Sequence, residues 1–328
     1  MIRGSWVTAA LYAAVSLRIP NLLASGPLSA EDLARATGAA PDPLRRLLRA
    51  LAAHGVVAER DDGRFEKTDL SDMLREDTPG LRGLTLMYGG PVWWTSWGET
   101  LHTIQTGETA FSKVHGAELF DYMQRDPEMN ALFNRVMTEG TVRLAREIVD
   151  AYDFSGFGTI VDVGGGQGWL LSTILAAAPA AHGILFDQPH VVETARPVIA
   201  ERGVDARCRL VGGSFFESIP AGGDAYVLKW IIHDWDDDDA TKILRNIRAV
   251  IPPAGRLLVF DRVLPERITD NDFLTRQGTL SDLNMLVNVT GRERTEAEFR
   301  QLFDAGGFTL TSARNTSSDL GIVEGAPA

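Results

Sequence analysis

The chain has 328 residues, 45% of them apolar and 23% charged, with 44 Asp/Glu against 32 Lys/Arg for a formal net charge of −12. This length and apolar content suit about two domains with real cores and exclude wholesale disorder. The acidic balance argues against a nucleic-acid partner, and the single cysteine, Cys208, excludes an internal disulfide or a Cys-rich zinc site and fits a reducing cytoplasm.

No membrane partner is expected. The longest uncharged stretch, Val163 to Phe186, contains five glycines, Pro179, Gln167 and His182, so it lacks the unbroken apolar run of a span. No basic segment precedes a small-residue cleavage site, which adds to the expectation of a cytoplasmic protein. Residues 1–70 carry nine Lys/Arg and eight Asp/Glu, so all of the net negative charge lies beyond them. That asymmetry is a first sign of a boundary.

In chain order, Ala9 to Leu17 reads as an apolar helix stopping before Pro20. Ser29 caps a second helix, with Glu31 and Asp32 in its first turn and Gly38 near its end. Pro43 to His54 is a third, with Leu44, Leu47, Leu48 and Leu51 at helical spacing. Short strand-like runs, Val56 to Ala58 and Arg64 to Lys67, flank the turn Asp61-Asp62-Gly63. Helix, helix and β-wing make a winged-helix pattern. From Leu81 to Val149 the chain is again helical, with Trp93, Trp94 and Trp97 near its start. A join within Asp150 to Gly158 divides the chain into domains 1–150 and 151–328.

Beyond the join, strands and helices alternate. The strands are Thr159–Val163, Gly183–Phe186, Arg207–Val211, Ala225–Leu228, Arg256–Phe260 and Gly321–Val323. The helices are Trp169–Ala178, Val191–Arg202, Asp237–Val250 and Thr295–Ala305. This alternation predicts an open, mostly parallel α/β sheet covered on both faces, with ligands outside the carboxyl ends of its strands.

The first of these strands runs into Gly164-Gly165-Gly166-Gln167-Gly168, and Asp187 ends the next one. Glycines let a ligand approach the backbone, and an acid at that distance can accept both hydroxyls of a ribose. A nicotinamide dinucleotide fits poorly: the third small residue of its fingerprint is Trp169 or Leu171 here. A nucleoside without a pyrophosphate suits the loop better.

Of the three histidines beyond residue 158, His233 alone follows a strand at the ligand end. It is the candidate general base, since neutral imidazole can accept a phenolic proton near pH 7; capping the next helix is its alternative role. Asp236 to Asp239 fails as a calcium loop, because Asp239 and Arg245 occupy the required glycine and glutamate positions. These acids suit a helix amino end instead. No zinc, phosphate-loop or serine-nucleophile motif is present in the sequence, and no metal is expected.

The motifs Val161 to Gly168, Phe186-Asp187-Gln188-Pro189, Gly212 to Phe216, Leu228 to Trp235 and Gly291-Arg292-Glu293-Arg294-Thr295 occur in order along the chain. With them the sequence resembles the S-adenosylmethionine-dependent small-molecule O-methyltransferases of the plant caffeate and bacterial polyketide type. The resemblance implies a Rossmann-like seven-stranded catalytic domain preceded by a mainly helical, winged-helix-like dimerisation domain that also contributes to the substrate pocket. It implies S-adenosylmethionine as cofactor, S-adenosylhomocysteine as product, an aromatic small-molecule acceptor, a role in secondary metabolism such as antibiotic biosynthesis, and a homodimer formed through the N-terminal domain.

The same resemblance assigns residues. Gly164, Gly166, Asp187, Ser214, Phe215 and Lys229 would bind the cofactor; many members have Asp where this chain has Ser214. His233 would be the base, with Asp261 and Glu293 positioning or flanking it. Phe133, Met137, Trp230, Asn284, Met285 and Asn288 would line the acceptor pocket. By spacing alone, Phe133 and Met137 could equally be helix core, Glu293 a helix-end charge and Asp261 a strand-exit cap. Carbon methylation, a cofactor-retaining reaction without methyl transfer, and a winged-helix DNA-binding regulator stay open as alternatives.

Overall fold

Strand Thr159–Val163 (β1) sends Ile160 into one apolar core and Val161 and Val163 into another, because successive side chains of a strand point to opposite faces. A strand apolar on both faces must be covered on both. The computed structural model, which describes residues 2–78, 80–269, 271–316, 318 and 320–328, supplies that cover. Helices Trp169–Ala177 and Pro189–Glu201 bury Leu170, Ile174 and Ile199 in one core. Helices Asp237–Arg248 and Glu296–Gly306 bury Ile243, Ile247 and Phe299 in the other.

The remaining strands are β2 (His182–Asp187), β3 (Cys208–Gly212), β4 (Ala225–Lys229), β5 (Arg256–Phe260), β6 (Phe308–Asn315) and β7 (Gly321–Pro327). They form one seven-stranded sheet in the order β6-β7-β5-β4-β1-β2-β3. Strands β1 to β5 are parallel, and β7 pairs antiparallel with both β5 and β6. The strand order reverses beside β1, whose neighbours are β2 and β4. At such a switch point the loops leaving the strands diverge and open a crevice. Gly164, Trp230 and Asp261 directly follow β1, β4 and β5, and Asp187 ends β2.

The sequence reading did not include strand β6, helix Phe273–Asn288 or the short parallel pair Val263–Leu264/Arg294–Thr295. Strand β6 is an edge strand whose polar residues face outward, so it lacks a continuous apolar run. Helix Phe273–Asn288 has Arg276, Gln277 and Gly278 interrupting its apolar spacing, and Asp272 caps it by accepting the Thr275 N–H at 2.9 Å.

In the N-terminal part, helices Ala30–Thr37 and Pro41–Ala53 and the hairpin Val57–Glu59/Phe65–Lys67 bury Leu33, Leu44, Leu48, Leu51, Val57 and Phe65 together. Ser29 and Gly38 cap the first of these helices as expected. The opening helix runs over Gly4–Ser16, and Pro20 begins the next helix, Ile19–Leu23, rather than merely ending the first. Proline is tolerated there because first-turn N–H groups have no intrahelical partner.

The chain groups into two compact units: residues up to Glu99 with Met123–Glu139, and Thr100–Tyr122 with Gly140–Ala328. The single cut expected after residue 150 divides the chain differently. Leu144, Ala145 and Ile148, on the last turns of helix Pro127–Ala151, belong to a core of the sheet unit. Among the described residues, no helix is long and apolar enough to cross a membrane.

Candidate active site

Gly164, Gly166 and Gly168 all have positive φ (72°, 57° and 80°). The Gly164 and Gly165 N–H groups both donate to the Phe186 carbonyl, at 2.8 and 3.3 Å. A β-carbon on Gly164, Gly165 or Gly168 would strike Ile231, Leu185 or Ile199, so packing accounts for these three glycines. Gly166 differs, because nothing lies within 4 Å of where its β-carbon would stand. Its N–H donates to Asp187 Oδ2 at 2.8 Å, and the Gln188 N–H donates to Oδ1 at 2.7 Å. Burial raises the Asp187 pKa, while these two donors hold it down. Each carboxylate oxygen retains acceptor capacity for another donor. Open space over a glycine beside such a carboxylate fits a nucleoside with a free ribose diol.

Ser214 Oγ accepts the Phe216 N–H at 3.3 Å and so closes its own turn. The Phe215 ring packs edge-on against Phe216 (4.9 Å) and Trp235 (5.9 Å), and the Phe215 carbonyl accepts from Asn246 Nδ2 at 2.8 Å.

Trp230 leaves β4 with φ 55°, an uncommon conformation for a bulky side chain. Its main-chain N–H donates to the Phe260 carbonyl at 3.1 Å, and Lys229 Nζ lies 3.5 Å from its ring centroid. Gly140 makes room for the ring, since a β-carbon there would stand 2.7 Å from it. Burial pushes the Lys229 pKa down to about 7, against the pull of Asp162 and Asp261. Burial likewise pushes Asp162, inside β1, up to about 7, with Lys229 opposing.

His233 sits in the turn Ile232–Asp234 and is 7% exposed. Its Nδ1 lies 3.0 Å from Glu293 Oε1, and its main-chain N–H donates to Asp261 Oδ2 at 3.1 Å. Glu293 therefore holds the ring and Asp261 holds the backbone. Asp234 Oδ1 is 3.5 Å from Nε2. Burial by itself would lower the imidazole pKa, but Glu293, Asp261 and Asp234 outweigh it and raise it to about 9. The sequence reading took the unperturbed imidazole value; Glu293 and Asp261, the two acids it expected beside the ring, shift that value together with Asp234, which it had given no role. Burial would raise the Glu293 pKa, yet His233, Arg262 and Ser281 bring it down to about 2. Each partner thus favours the charged form of the other. Asp261 is fully buried and its pKa is raised, chiefly by burial.

The family of this chain follows from comparison with known proteins. The O-methyltransferase domain matches residues 97–309, and the O-methyltransferase dimerisation domain matches residues 1–77. The chain belongs to the O-methyltransferase family. It is 45% identical to phenazine O-methyltransferase PhzM of Lysobacter antibioticus, covering 100% of this chain and 94% of that one. It is 39% identical to the mitomycin biosynthesis 6-O-methyltransferase of Streptomyces lavendulae, over 94% of this chain and 88% of the other. Among solved structures, an O-methyltransferase from neocarzinostatin biosynthesis, in complex with S-adenosylmethionine and 2-hydroxy-5-methyl naphthoic acid, superposes with TM-score 0.85. It is 32% identical and covers 98% of this chain and 96% of that one.

In this O-methyltransferase, the fold brings His233, Asp261 and Glu293 together, and Gly166 with Asp187. Asn288, 2% exposed, donates to Asn284 Oδ1 at 2.9 Å on helix Phe273–Asn288, where Met285 is half-buried. Phe133 and Met137 stand four residues apart, half-buried, in the other compact unit.

Four residues around the histidine had been given no role: Arg262, Ser281, Arg294 and Asp234. The first two reach Glu293 Oε1, at 3.2 and 2.7 Å. Arg294, 1% exposed, donates to the carbonyls of Ile232 (3.1 Å) and Trp235 (3.0 Å) and to Asp237 Oδ1 (2.7 Å). An arginine so close to Glu293 in sequence was the available signal, because buried charge is rare unless paired. Asp236 caps helix Asp237–Arg248 by accepting the Asp239 N–H at 2.9 Å, as the dipole argument expects. Among the described residues, no group of three or more His, Cys, Asp or Glu side chains is arranged to hold a metal ion.

Proposed function

We propose that this O-methyltransferase methylates a phenolic hydroxyl of an aromatic small molecule in secondary metabolism, antibiotic biosynthesis included, with His233 as general base. The observation that carries the base assignment is the 3.0 Å contact between His233 Nδ1 and Glu293 Oε1 at the carboxyl end of the parallel sheet. With Nδ1–H committed to a carboxylate, the neutral ring presents Nε2 as the acceptor of a proton. Bound S-adenosylmethionine supplies a sulfonium methyl, and S-adenosylhomocysteine remains after transfer. Gly166 leaves the backbone open to the cofactor, and Asp187 accepts from its ribose hydroxyls. Gly164, Ser214, Phe215 and Lys229 complete the proposed cofactor contacts, with the Ser214 hydroxyl turned toward its own loop.

The phenolic O–H donates its proton to His233 Nε2, and the freed oxygen pair forms the bond to the methyl carbon. Glu293 stabilises the imidazolium that results. A phenol with a pKa near 10 and an imidazole near 9 are closely matched, so the transfer runs little uphill. Trp230, Asn284, Met285 and Asn288 are the proposed acceptor contacts of this unit.

The protein works as a homodimer in this reading, supported by the dimerisation-domain match over residues 1–77 and by the exposed apolar side chains of Ile2 and Trp6. Incubation with methyl-labelled S-adenosylmethionine and a panel of phenols, quinones and hydroxylated aromatic amino acids tests the activity. Label on a phenolic oxygen is the expected result. Label on ring carbon, or turnover of the acceptor without label, would replace this reading with another chemistry.

A further inference from the structure

Three donors converge on a single oxygen of Glu293. Its Oε1 meets His233 Nδ1 at 3.0 Å, Ser281 Oγ at 2.7 Å and Arg262 Nη1 at 3.2 Å. The same Arg262 nitrogen donates to Ser281 Oγ at 3.0 Å, closing a small ring of contacts. The glutamate side chain is fully buried, while Arg262 keeps 18% exposure.

We propose that Arg262 and Ser281 are positioning residues that share the Glu293 carboxylate with His233 and so keep the imidazole less basic than an undivided carboxylate would make it. A carboxylate given wholly to an imidazolium stabilises the charged ring strongly. A guanidinium stays charged at every working pH, and on the same oxygen it takes up part of that negative charge. It also adds a second positive charge close to the ring, which disfavours protonation. The Ser281 hydroxyl occupies a further share of the same oxygen.

The other charges around the ring mostly push the opposite way. Asp234 faces Nε2 from the same turn, and Asp261 accepts the His233 N–H from the end of β5. Asp282 accepts the Glu293 N–H at 3.0 Å. Lys229 acts on Asp234, and Arg294 acts on Asp261. Arg262 is the cation that shares a hydrogen-bonded atom with the imidazole. Without it the ring would remain charged further into the alkaline range, and fewer molecules would hold a free base at neutral pH.

The consequence for catalysis rests on His233 being the base, and the test separates the two ideas. The imidazole is titrated by NMR in full-length protein carrying isotope-labelled histidine, with His233→Asn assigning the resonance. Arg262→Met is expected to raise the His233 pKa by about one unit. Ser281→Ala should raise it by less, and Arg262→Lys should return it toward the wild-type value. An unmoved or lowered pKa in Arg262→Met overturns the proposal; if that variant does not fold, an unmoved pKa in Ser281→Ala does so. The acid limb of the kcat/KM–pH profile should move by the same amount as the NMR value. An NMR shift with no kinetic shift would leave the shared carboxylate standing and remove His233 as the base.

Discussion

Gly291 and His233 approach so closely that a β-carbon on the glycine would stand 2.0 Å from the His233 carbonyl oxygen and 2.4 Å from the Asp234 carbonyl carbon. Both atoms are backbone and neither can rotate away. The turn carrying His233 and the segment carrying Glu293 therefore pack main chain to main chain. Gly291→Ala must displace one of them, at a cost typical of overpacking, about 1–3 kcal/mol. We expect a lower melting temperature and a fall in kcat of at least roughly tenfold, since misplacement of about 1 Å is costly to rate. Calorimetric titration with S-adenosylhomocysteine should find cofactor affinity nearly unchanged, because the glycine loop after β1 is separate.

His233→Ala should retain cofactor binding and lose about 10²- to 10⁴-fold in turnover of a matched phenol, the usual worth of a positioned base. Full activity with an identified acceptor would remove the base assignment.

The raised imidazole pKa has a definite sign. A base is active when neutral, and a pKa of about 9 leaves roughly one ring in a hundred neutral at pH 7. The kcat/KM of the wild-type enzyme should therefore climb about tenfold per pH unit and level off near pH 9. In Glu293→Gln the carboxylate that holds the proton on the ring is gone, so the rise should occur at lower pH while the plateau falls. A flat wild-type profile from pH 6.5 to 9 would contradict this electrostatic picture.

Asp187 and Gly166 can be separated by substitution. Asp187→Asn replaces one acceptor oxygen with an NH₂ that would face the N–H of either Gly166 or Gln188, donor against donor. Cofactor binding should weaken at least tenfold, about 1.4 kcal/mol. Gly166→Val puts a branched side chain at φ 57° into the open space over the loop. It should abolish binding in the same titration while changing the melting temperature of the cofactor-free protein less than Gly164→Val, whose side chain would strike Ile231.

Light scattering should report twice the chain mass for the wild type. Trp6→Glu, which places a charge on a 67% exposed indole near the amino end, should shift the population toward monomer.

Much of the fold was legible because its signals are local. The limits of β1 and β5 could be read from the sequence, since fully buried parallel strands are short apolar runs between turn residues. Helix Phe273–Asn288 could not be read this way, with a glycine and polar residues interrupting its apolar spacing. Its Ser281 was missed with it. Strand β6 was illegible for a related reason: an edge strand needs few apolar residues, and its partner β7 is set by the chain's return rather than by pattern.

Sequence by itself determined the class of the protein, the glycine loop with its acid, and the histidine at the strand end, because each is a local pattern tied to one element. Which acid serves the imidazole was decided only by tertiary structure. Glu293 is sixty positions from His233 and reaches the ring because Arg294-Thr295 pairs with Val263-Leu264 just past β5. Asp261, at the end of that same strand, is left with the backbone N–H instead. The basicity of His233 is likewise a property of the fold: burial and three converging acids set it, and no residue carries that information alone.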